Sequence, residues 1–240
     1  MQRLRELSRR VEAVYGEMAD TFSAYQQQRG LTCRSGCGEC CLQPTIEATV
    51  LEMLPLALHL FDQGKAEQTL TQLEELTEPA GCFFYQKLSF DGKQGQCSVY
   101  QQRPSICRVF GAAGYRDKTG SAALSVCKVI KSDKVVAYQD TLIAMQSDPP
   151  PLMVMAKEQV NELDYELGKK HLPINDALKQ ALEKVLFKEP LMASIEVKIP
   201  TKAINPIAII KAVKKVLNLL LLIDCRATFT FSILSIYNKL

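Results

Sequence analysis

The feature that most constrains this chain is a short segment, residues 33–41 (CRSGCGECC), that carries four thiols within nine residues. Two glycines separate these thiols, and glycine permits the tight backbone turns that can direct several sulfurs at one point. Four more cysteines follow downstream, at Cys82, Cys97, Cys107 and Cys127. Because soft thiolates are the preferred ligands of zinc, copper(I) and iron–sulfur clusters, the pattern predicts a metal site. We call residues 33–41 the cysteine loop.

The number of cysteines leaves open how many metal centres they form. Zinc sites and iron–sulfur clusters commonly use four cysteines. The eight cysteines between positions 33 and 127 therefore suffice for two four-sulfur centres, or for one centre with thiols left over. Cys40 and Cys41 are adjacent, and neighbouring side chains usually diverge. This pair is expected either to serve two centres or to contain one residue that is not a ligand.

The spacing of Cys33, Cys37 and Cys40 also matches the three-cysteine loop of radical S-adenosylmethionine enzymes. Those enzymes resemble a β/α barrel, in which strands alternate with helices. The present sequence indicates long helices and little strand, and a fourth adjacent cysteine is foreign to that pattern. The sequence therefore argues against a radical enzyme of this kind.

Composition and the N-terminus indicate a cytoplasmic globular protein. The chain has 240 residues, of which 47% are hydrophobic and 23% charged, and these values are typical of a globular domain. Its net charge of +3 gives no reason to expect nucleic acid as a partner. Residues 1–28 lack the apolar region of a secretory signal, and no run of about 18 uncharged apolar residues predicts a transmembrane helix. Without a signal, nine cysteines favour a reducing compartment over a disulfide framework.

The hydrophobic pattern predicts a mainly α fold with a small β-hairpin, which makes a cysteine-rich, metal-stabilised domain. Apolar residues at spacings of three and four predict a first helix over 2–29, ended by Gly30. A second helix is expected to begin at Pro44 with Thr45 as its N-cap, which places Glu47 in the first turn as a carboxylate favoured by the helix dipole rather than as a ligand. Further helices are predicted over 65–77, 135–145, 152–170 and 175–188.

Two features lie between these helices. Aromatic residues on both sides of a turn at 91–95 predict a hairpin with Cys82 and Cys97 at its ends. Pro104 is expected to open a short helix that carries Cys107. Arg103 and Arg108 flank that cysteine, and nearby cations would offset the negative charge of a thiolate site.

The last fifty residues differ from the rest of the chain. We divide the sequence into a cysteine-cluster domain, 1–189, with its core at 30–130, and a basic apolar extension, 190–240. The extension has seven basic and two acidic residues, and its apolar stretch at 206–223 is expected to pack on the protein rather than to contact a membrane surface. Cys225 is expected to be a buried small residue rather than a ligand. His59 and His171 are interpreted as packing and helix-end residues.

The order of the cysteines, with Arg103-Pro104 and Cys107-Arg108 embedded among them, resembles the YkgJ-like cysteine-cluster family, which is described as a zinc- or iron-chelating domain. The resemblance covers roughly residues 30–130. Flagellin lysine N-methylase is similar over this region, which implies methyl transfer with S-adenosylmethionine as a cofactor. The resemblance implies metal binding by eight residues: Cys33, Cys37, Cys40, Cys41, Cys82, Cys97, Cys107 and Cys127.

The sequence therefore predicts a metal-binding protein that coordinates zinc or an iron–sulfur cluster through these eight cysteines. Two alternatives stay open. One is a protein-lysine N-methyltransferase that uses the cluster, and the other is a metal-stabilised module that binds a protein partner without catalysis. The sequence does not decide between an enzyme and a binding protein.

Overall fold

The computed structural model describes residues 1–76 and 80–187. The protein is mainly α-helical, with short two-stranded antiparallel sheets, and the predicted fold class is confirmed. The helices are α1 Gln2–Gln28, α2 Val50–Asp62, α3 Ala66–Glu74, α4 Ser105–Val109, α5 Lys128–Asp133, α6 Val135–Ala144, α7 Met153–Asn161, α8 Tyr165–Gly168 and α9 Ile174–Leu186. The strands are β1 Glu47–Thr49, β2 Tyr85–Lys87, β3 Gly95–Cys97, β4 Ala112–Arg116, β5 Ala122–Val126 and β6 His171–Pro173.

Helix α1 forms where the sequence predicts it and delivers the chain to the cysteine loop. Its buried face contains the predicted apolar residues together with Tyr15, while Val14 is only partly buried. The helix ends at Gln28, and Gly30, just beyond it, has a φ of 66°, a left-handed conformation that glycine adopts without strain. The N–H of Gly30 donates to Gln27, and that of Leu31 donates to Gln26, which completes a Schellman cap. None of the helices described here is both long and apolar enough to cross a membrane.

The main apolar core lies between α1, α2, α3 and α9. Strands β1 and β6 pair antiparallel, with Ala48 opposite Leu172, and each strand leads directly into one of the two central helices, α2 and α9. Every residue of α2 from 50 to 58 is buried, because the helix is covered on several sides. We call the cluster of buried apolar residues between α1, α2, α3 and α9 the main core.

Two helix predictions are wrong at their boundaries. The second helix begins at Val50 rather than near Thr45, because Thr49 is the N-cap and forms a reciprocal capping box with Glu52. Glu47 is consequently an exposed residue of β1 and not a first-turn carboxylate. The predicted helix over 152–170 is two helices, because the Asp164 side chain accepts the N–H of Leu167 and caps α8. His171, expected at a helix end, lies in β6.

A second hairpin, β4–β5, was not predicted, since its glycines indicated only loops. It carries Cys127 directly after β5 and packs into a smaller apolar cluster. Gly114 allows this hairpin to approach the chain at Pro150, where a Cβ would lie 2.6 Å from the carbonyl oxygen. We call the smaller cluster the second core; its fully buried members are Tyr25, Leu31, Ala112, Leu124, Val126 and Ile130.

The predictions for the C-terminal extension, 190–240, lie outside the described residues. These include the apolar stretch at 206–223, the burial of Cys225 and the domain boundary at 189. They stay predictions.

Candidate metal centre

The structure brings the eight cysteines to one place. They all line a single cavity of about 720 Å³. All eight are free thiols; Cys33 is exposed and the others are partly buried. The two histidines and Glu47 are not part of this wall, whereas Glu39, which the sequence reasoning did not single out, is. The cavity is therefore a site whose polar lining is dominated by sulfur.

The cysteine loop is held against the β2–β3 hairpin by backbone hydrogen bonds. The N–H of Gly38 donates to Lys93 over 2.8 Å, and the N–H of Gly95 donates to Gly36 over 2.9 Å. Between these bonds, Cys37 forms a bridge with Gln94. Gly36 has a φ of 71°, so the tight turn predicted for the loop glycines occurs there.

Gly38 serves a different purpose, because it makes room for an aromatic ring. A Cβ at this position would lie 1.6 Å from the Oη of Tyr85, and a Cβ on Gly95 would lie 2.5 Å from the same ring. The ring therefore fits between two glycines, one from the loop and one from β3. Its hydroxyl donates to the carbonyl of Gly92 over 2.6 Å. This contact fixes the spacing between the loop and the hairpin.

Cys82 reaches the loop through a close backbone approach. Its N–H donates to the carbonyl of Cys41 over 2.7 Å. A Cβ on Gly81 would lie 2.5 Å from that carbonyl oxygen, so only glycine fits there. Asn175, in the first turn of α9, accepts the N–H of Phe83 and donates to the carbonyl of Gly81. The sequence reasoning missed this asparagine, since nothing local marks it.

The predicted hairpin is confirmed, although its two cysteines are not paired with each other. Cys97 lies opposite Tyr85 in the ladder. Cys82 precedes β2 and forms a turn in which its carbonyl accepts the N–H of Tyr85. Both cysteines nevertheless line the cavity from the hairpin side.

Cys107 lies on α4, which Pro104 opens as predicted. The guanidinium of Arg103 donates to the carbonyl of Cys107 over 3.2 Å and to that of Tyr100 over 2.8 Å, and it lies 3.4 Å from the centre of the Tyr100 ring. Arg108 donates to the carbonyl of Arg103 over 2.9 Å. Of Arg103 and Arg108, only Arg103 lines the cavity.

A buried carboxylate, Glu52, connects α4 to the main core. It is 1% exposed and accepts hydrogen bonds from the N–H of Thr49 and the hydroxyl of Ser105. The Tyr15 hydroxyl donates to the backbone carbonyl of Glu52 over 2.8 Å. The Thr-x-x-Glu spacing of the capping box was a signal in the sequence that could have found this residue. The helix that carries Cys107 is thus anchored to both α1 and α2.

On the opposite side, an ion pair connects the loop to the segment after Cys127. The Arg34 guanidinium binds the Asp133 carboxylate through two hydrogen bonds of 2.7 and 2.9 Å. Asp133 lies at the end of α5, which begins directly after Cys127. The N–H of Cys127 donates to Gly111 over 2.8 Å. Arg34 therefore brings the start of the loop towards Cys127.

The proximity of the thiols is reflected in their acidity. Although the Cys33 residue as a whole is exposed, partial burial of its thiol, together with the neighbouring Cys37 thiol, raises its pKa to about 12. Burial likewise raises the pKa of Cys82 to about 11 and raises that of Cys107. The exception is Cys40, whose pKa is lowered to about 6 because the thiol of Cys41 donates a hydrogen bond to it. Crowded thiols oppose one another's ionisation, and a bound cation would reverse this effect.

The donor set fits a thiophilic metal, although the side chains are spread around the cavity wall. Within residues 1–76 and 80–187, no three Cys, His, Asp or Glu side chains form a closed group that could hold a metal ion. The cavity also takes up far more space than one ion with its ligands. Binding would require the sulfurs to rotate inward from the positions described here.

Comparison with known proteins supports the prediction that this protein binds metal. Residues 32–128 match the CxxCxxCC family model, whose description reads "Putative zinc- or iron-chelating domain". The matched segment includes all eight cysteines as well as Arg103 and Arg108, and it covers less than half of the chain. No curated protein and no solved structure matches. The resemblance to the chelating family is therefore supported over this segment, whereas similarity to flagellin lysine N-methylase is not shown and stays a prediction.

Proposed function

We propose that this protein binds zinc or iron through the thiolates of the eight cysteines. The observation that carries the proposal is that all eight line one cavity, within the segment that matches a chelating family. Sulfur ligands select zinc and iron–sulfur clusters over the harder magnesium and calcium ions. The cations that line the cavity, Arg34 and Arg103, would offset the negative charge of a thiolate centre.

The bound metal would also hold this part of the fold together. The elements that carry the cysteines are short: β2 and β3 have three residues each, α4 has five, and the loop between α1 and β1 contains no helix or strand. Isolated hairpins and single helical turns are at best marginally stable in water. Metal–thiolate bonds would cross-link these pieces, and structural zinc can contribute about 10–16 kcal/mol in small domains.

Zinc and iron differ in what they would do here. A zinc centre closed by four thiolates stabilises structure, whereas an iron–sulfur cluster also carries electrons. The lysine N-methyltransferase hypothesis, with S-adenosylmethionine as cofactor, rests on the resemblance alone and is not part of this proposal.

The experiment is metal analysis of the full chain purified without oxygen. We expect stoichiometric zinc in colourless protein, or iron with acid-labile sulfide in brown protein. Complete removal of the metal by a chelator should lower the helical signal in circular dichroism and the melting temperature. Cys107→Ser should lose metal, because serine replaces a soft thiolate with a hard oxygen.

Cys225→Ser is the matched control, since this cysteine lies far outside the matched segment. It should retain all the metal. Anaerobic protein that contains no zinc and no iron, or an equal loss of metal in the two variants, would contradict the proposal.

A further inference from the structure

The cysteines do not rest on the same part of the core. Cys82 and Cys107 pack against the main core, together with Phe83, Phe84 and Val99. Cys127 instead packs against the second core, with Leu31 and Ile130 among its fully buried members. A single compact centre would have to draw its ligands from both cores across the cavity. Two centres, one near each core, would leave Cys82 and Cys107 on one support and Cys127 on the other.

The first part of the cysteine loop lies on the side of the second core. Leu31 is fully buried there, only two residues before Cys33. The Arg34–Asp133 ion pair then fixes the loop to α5, directly beyond Cys127. The thiols of Cys33 and Cys37 lie within hydrogen-bonding distance of each other.

The last residue of the loop lies on the side of the main core. The carbonyl of Cys41 accepts the N–H of Cys82, and Gly81 is required for this approach. Cys97 is attached to the same segment, because Ser98 donates its N–H to Phe84.

Cys40 is the residue at the boundary. A smaller cavity of about 370 Å³ adjoins the large one, and among the described cysteines only Cys40 and Cys127 line it. This shared wall places Cys40 with Cys127. Cys40 also lines the large cavity together with Cys82 and Cys107, as expected for a residue between two groups. In the structure described here the Cys40 and Cys41 thiols contact each other through a hydrogen bond, so the two side chains must turn apart for each to serve its own side.

We infer that the eight cysteines form two four-thiolate metal centres, joined by the Cys40–Cys41 peptide bond. This inference rests on the proposed function. The first centre, on the second core, consists of Cys33, Cys37, Cys40 and Cys127. The second centre, on the main core, consists of Cys41, Cys82, Cys97 and Cys107.

Each centre has its own guanidinium. Arg34 directly follows Cys33 and lines the large cavity, and Arg103 donates to the carbonyl of Cys107. The two centres differ in accessibility. Cys33 is exposed, and the first centre borders both cavities. The second is anchored to the main core through α4 and Glu52. The first centre therefore exchanges its metal, and the second is structural.

The test counts metal ions on the full chain, reduced and loaded with Zn²⁺ in the absence of oxygen. The unchanged chain should hold two zinc ions and release them to a chromophoric chelator in a fast and a slow phase. Cys33→Ser should lose one ion and the fast phase only. Cys107→Ser should lose one ion and the slow phase only, and the double variant should lose both ions.

Cys33→Ser is the decisive variant, because its exposed position makes unfolding an improbable cause of any loss; Cys225→Ser is the control. The inference is supported if Cys33→Ser and Cys107→Ser each lose one zinc ion, and if each variant also loses the corresponding phase of zinc release. One ion per chain, lost equally in both variants, overturns it while the proposed function stands. Two ions lost together in Cys33→Ser overturn it as well, because the metals then share one cluster. No bound zinc or iron in the unchanged chain overturns the proposed function itself.

Discussion

Replacement of Gly38 by alanine tests whether the cysteine loop is positioned by its contact with Tyr85. The backbone of Gly38 does not have a positive φ, so the substitution introduces no left-handed strain. Its effect is steric: the new methyl carbon would lie 1.6 Å from Oη and 2.1 Å from Cζ of the ring. Because non-bonded carbon contacts need about 3.5 Å, the ring must move by about 2 Å.

The size of the effect follows from what this movement breaks. Overpacking of this kind typically costs about 1–3 kcal/mol. The hydrogen bond of 2.6 Å from Tyr85 to Gly92 would also be lost, which adds about 0.5–1.5 kcal/mol. Together these terms give about 2–4 kcal/mol, or a fall in melting temperature of about 5–15 °C for a domain of this size. If the loop docks only when metal is bound, the same energy weakens metal affinity by about 30- to 1000-fold.

The assay is thermal unfolding of the metal-loaded protein, together with zinc competition against a chelator. Gly16→Ala is the matched control, since nothing lies within 4 Å of its added methyl and it sits inside a helix, where alanine stabilises by about 0.5–1 kcal/mol. In a Tyr85→Ala background the cost of Gly38→Ala should fall below about 1 kcal/mol, because the clash is gone. A Gly38→Ala protein that melts and binds zinc like the unchanged chain would refute the reasoning, as would an undiminished cost in the Tyr85→Ala background.

Two further substitutions test the supports of α4. Arg103→Lys retains the charge but loses the planar guanidinium that donates to the carbonyls of Cys107 and Tyr100. We therefore expect this variant to release metal several-fold faster, as measured by transfer to a chelator. An unchanged rate of release would contradict this role of Arg103. Tyr15→Phe removes a buried hydroxyl that donates to Glu52 and should cost about 0.5–1.5 kcal/mol in neutral solution. Burial first, and the charge of Glu52 second, raise the pKa of Tyr15 well above 10, so its contribution is fully present below the unfolded pKa and declines as the pH rises further. The stability difference between this variant and the unchanged chain should therefore narrow in alkaline denaturant titrations, and a constant difference would contradict the shift.

Local signals in the sequence were sufficient for several elements. The spacing of apolar residues fixed α1, and Gly30 ended it, since both depend only on residues within one or two turns. The hairpin around 91–95 and the short helix opened by Pro104 also depend on neighbouring residues. The set of eight cysteines could be chosen from spacing alone, and all of them line one cavity. Whether they bind metal stays a prediction.

The tertiary structure decided what these local signals left ambiguous. Thr45 and Thr49 are both capable N-caps, and the pairing of β1 with β6, more than a hundred residues away, selected Thr49. The length of a helix over 152–170 was likewise overestimated, because Asp164 provides a second cap. In the first case the competing structure gains its energy from a distant strand pairing that a local pattern does not contain. The Asp164 cap, in contrast, is a contact between residues three apart and was a local signal that the sequence reasoning missed.

The same limit applies to the site. The sequence showed that Gly38 lies among thiols, but only the fold shows that it leaves room for Tyr85. It showed eight cysteines in order, but only the packing shows that Cys82 and Cys107 lie against one core and Cys127 against the other. The sequence determines which ligands are available, because the chemistry of a ligand depends on its residue type. Their grouping in space is decided by packing, because it depends on which distant apolar surfaces the chain buries together.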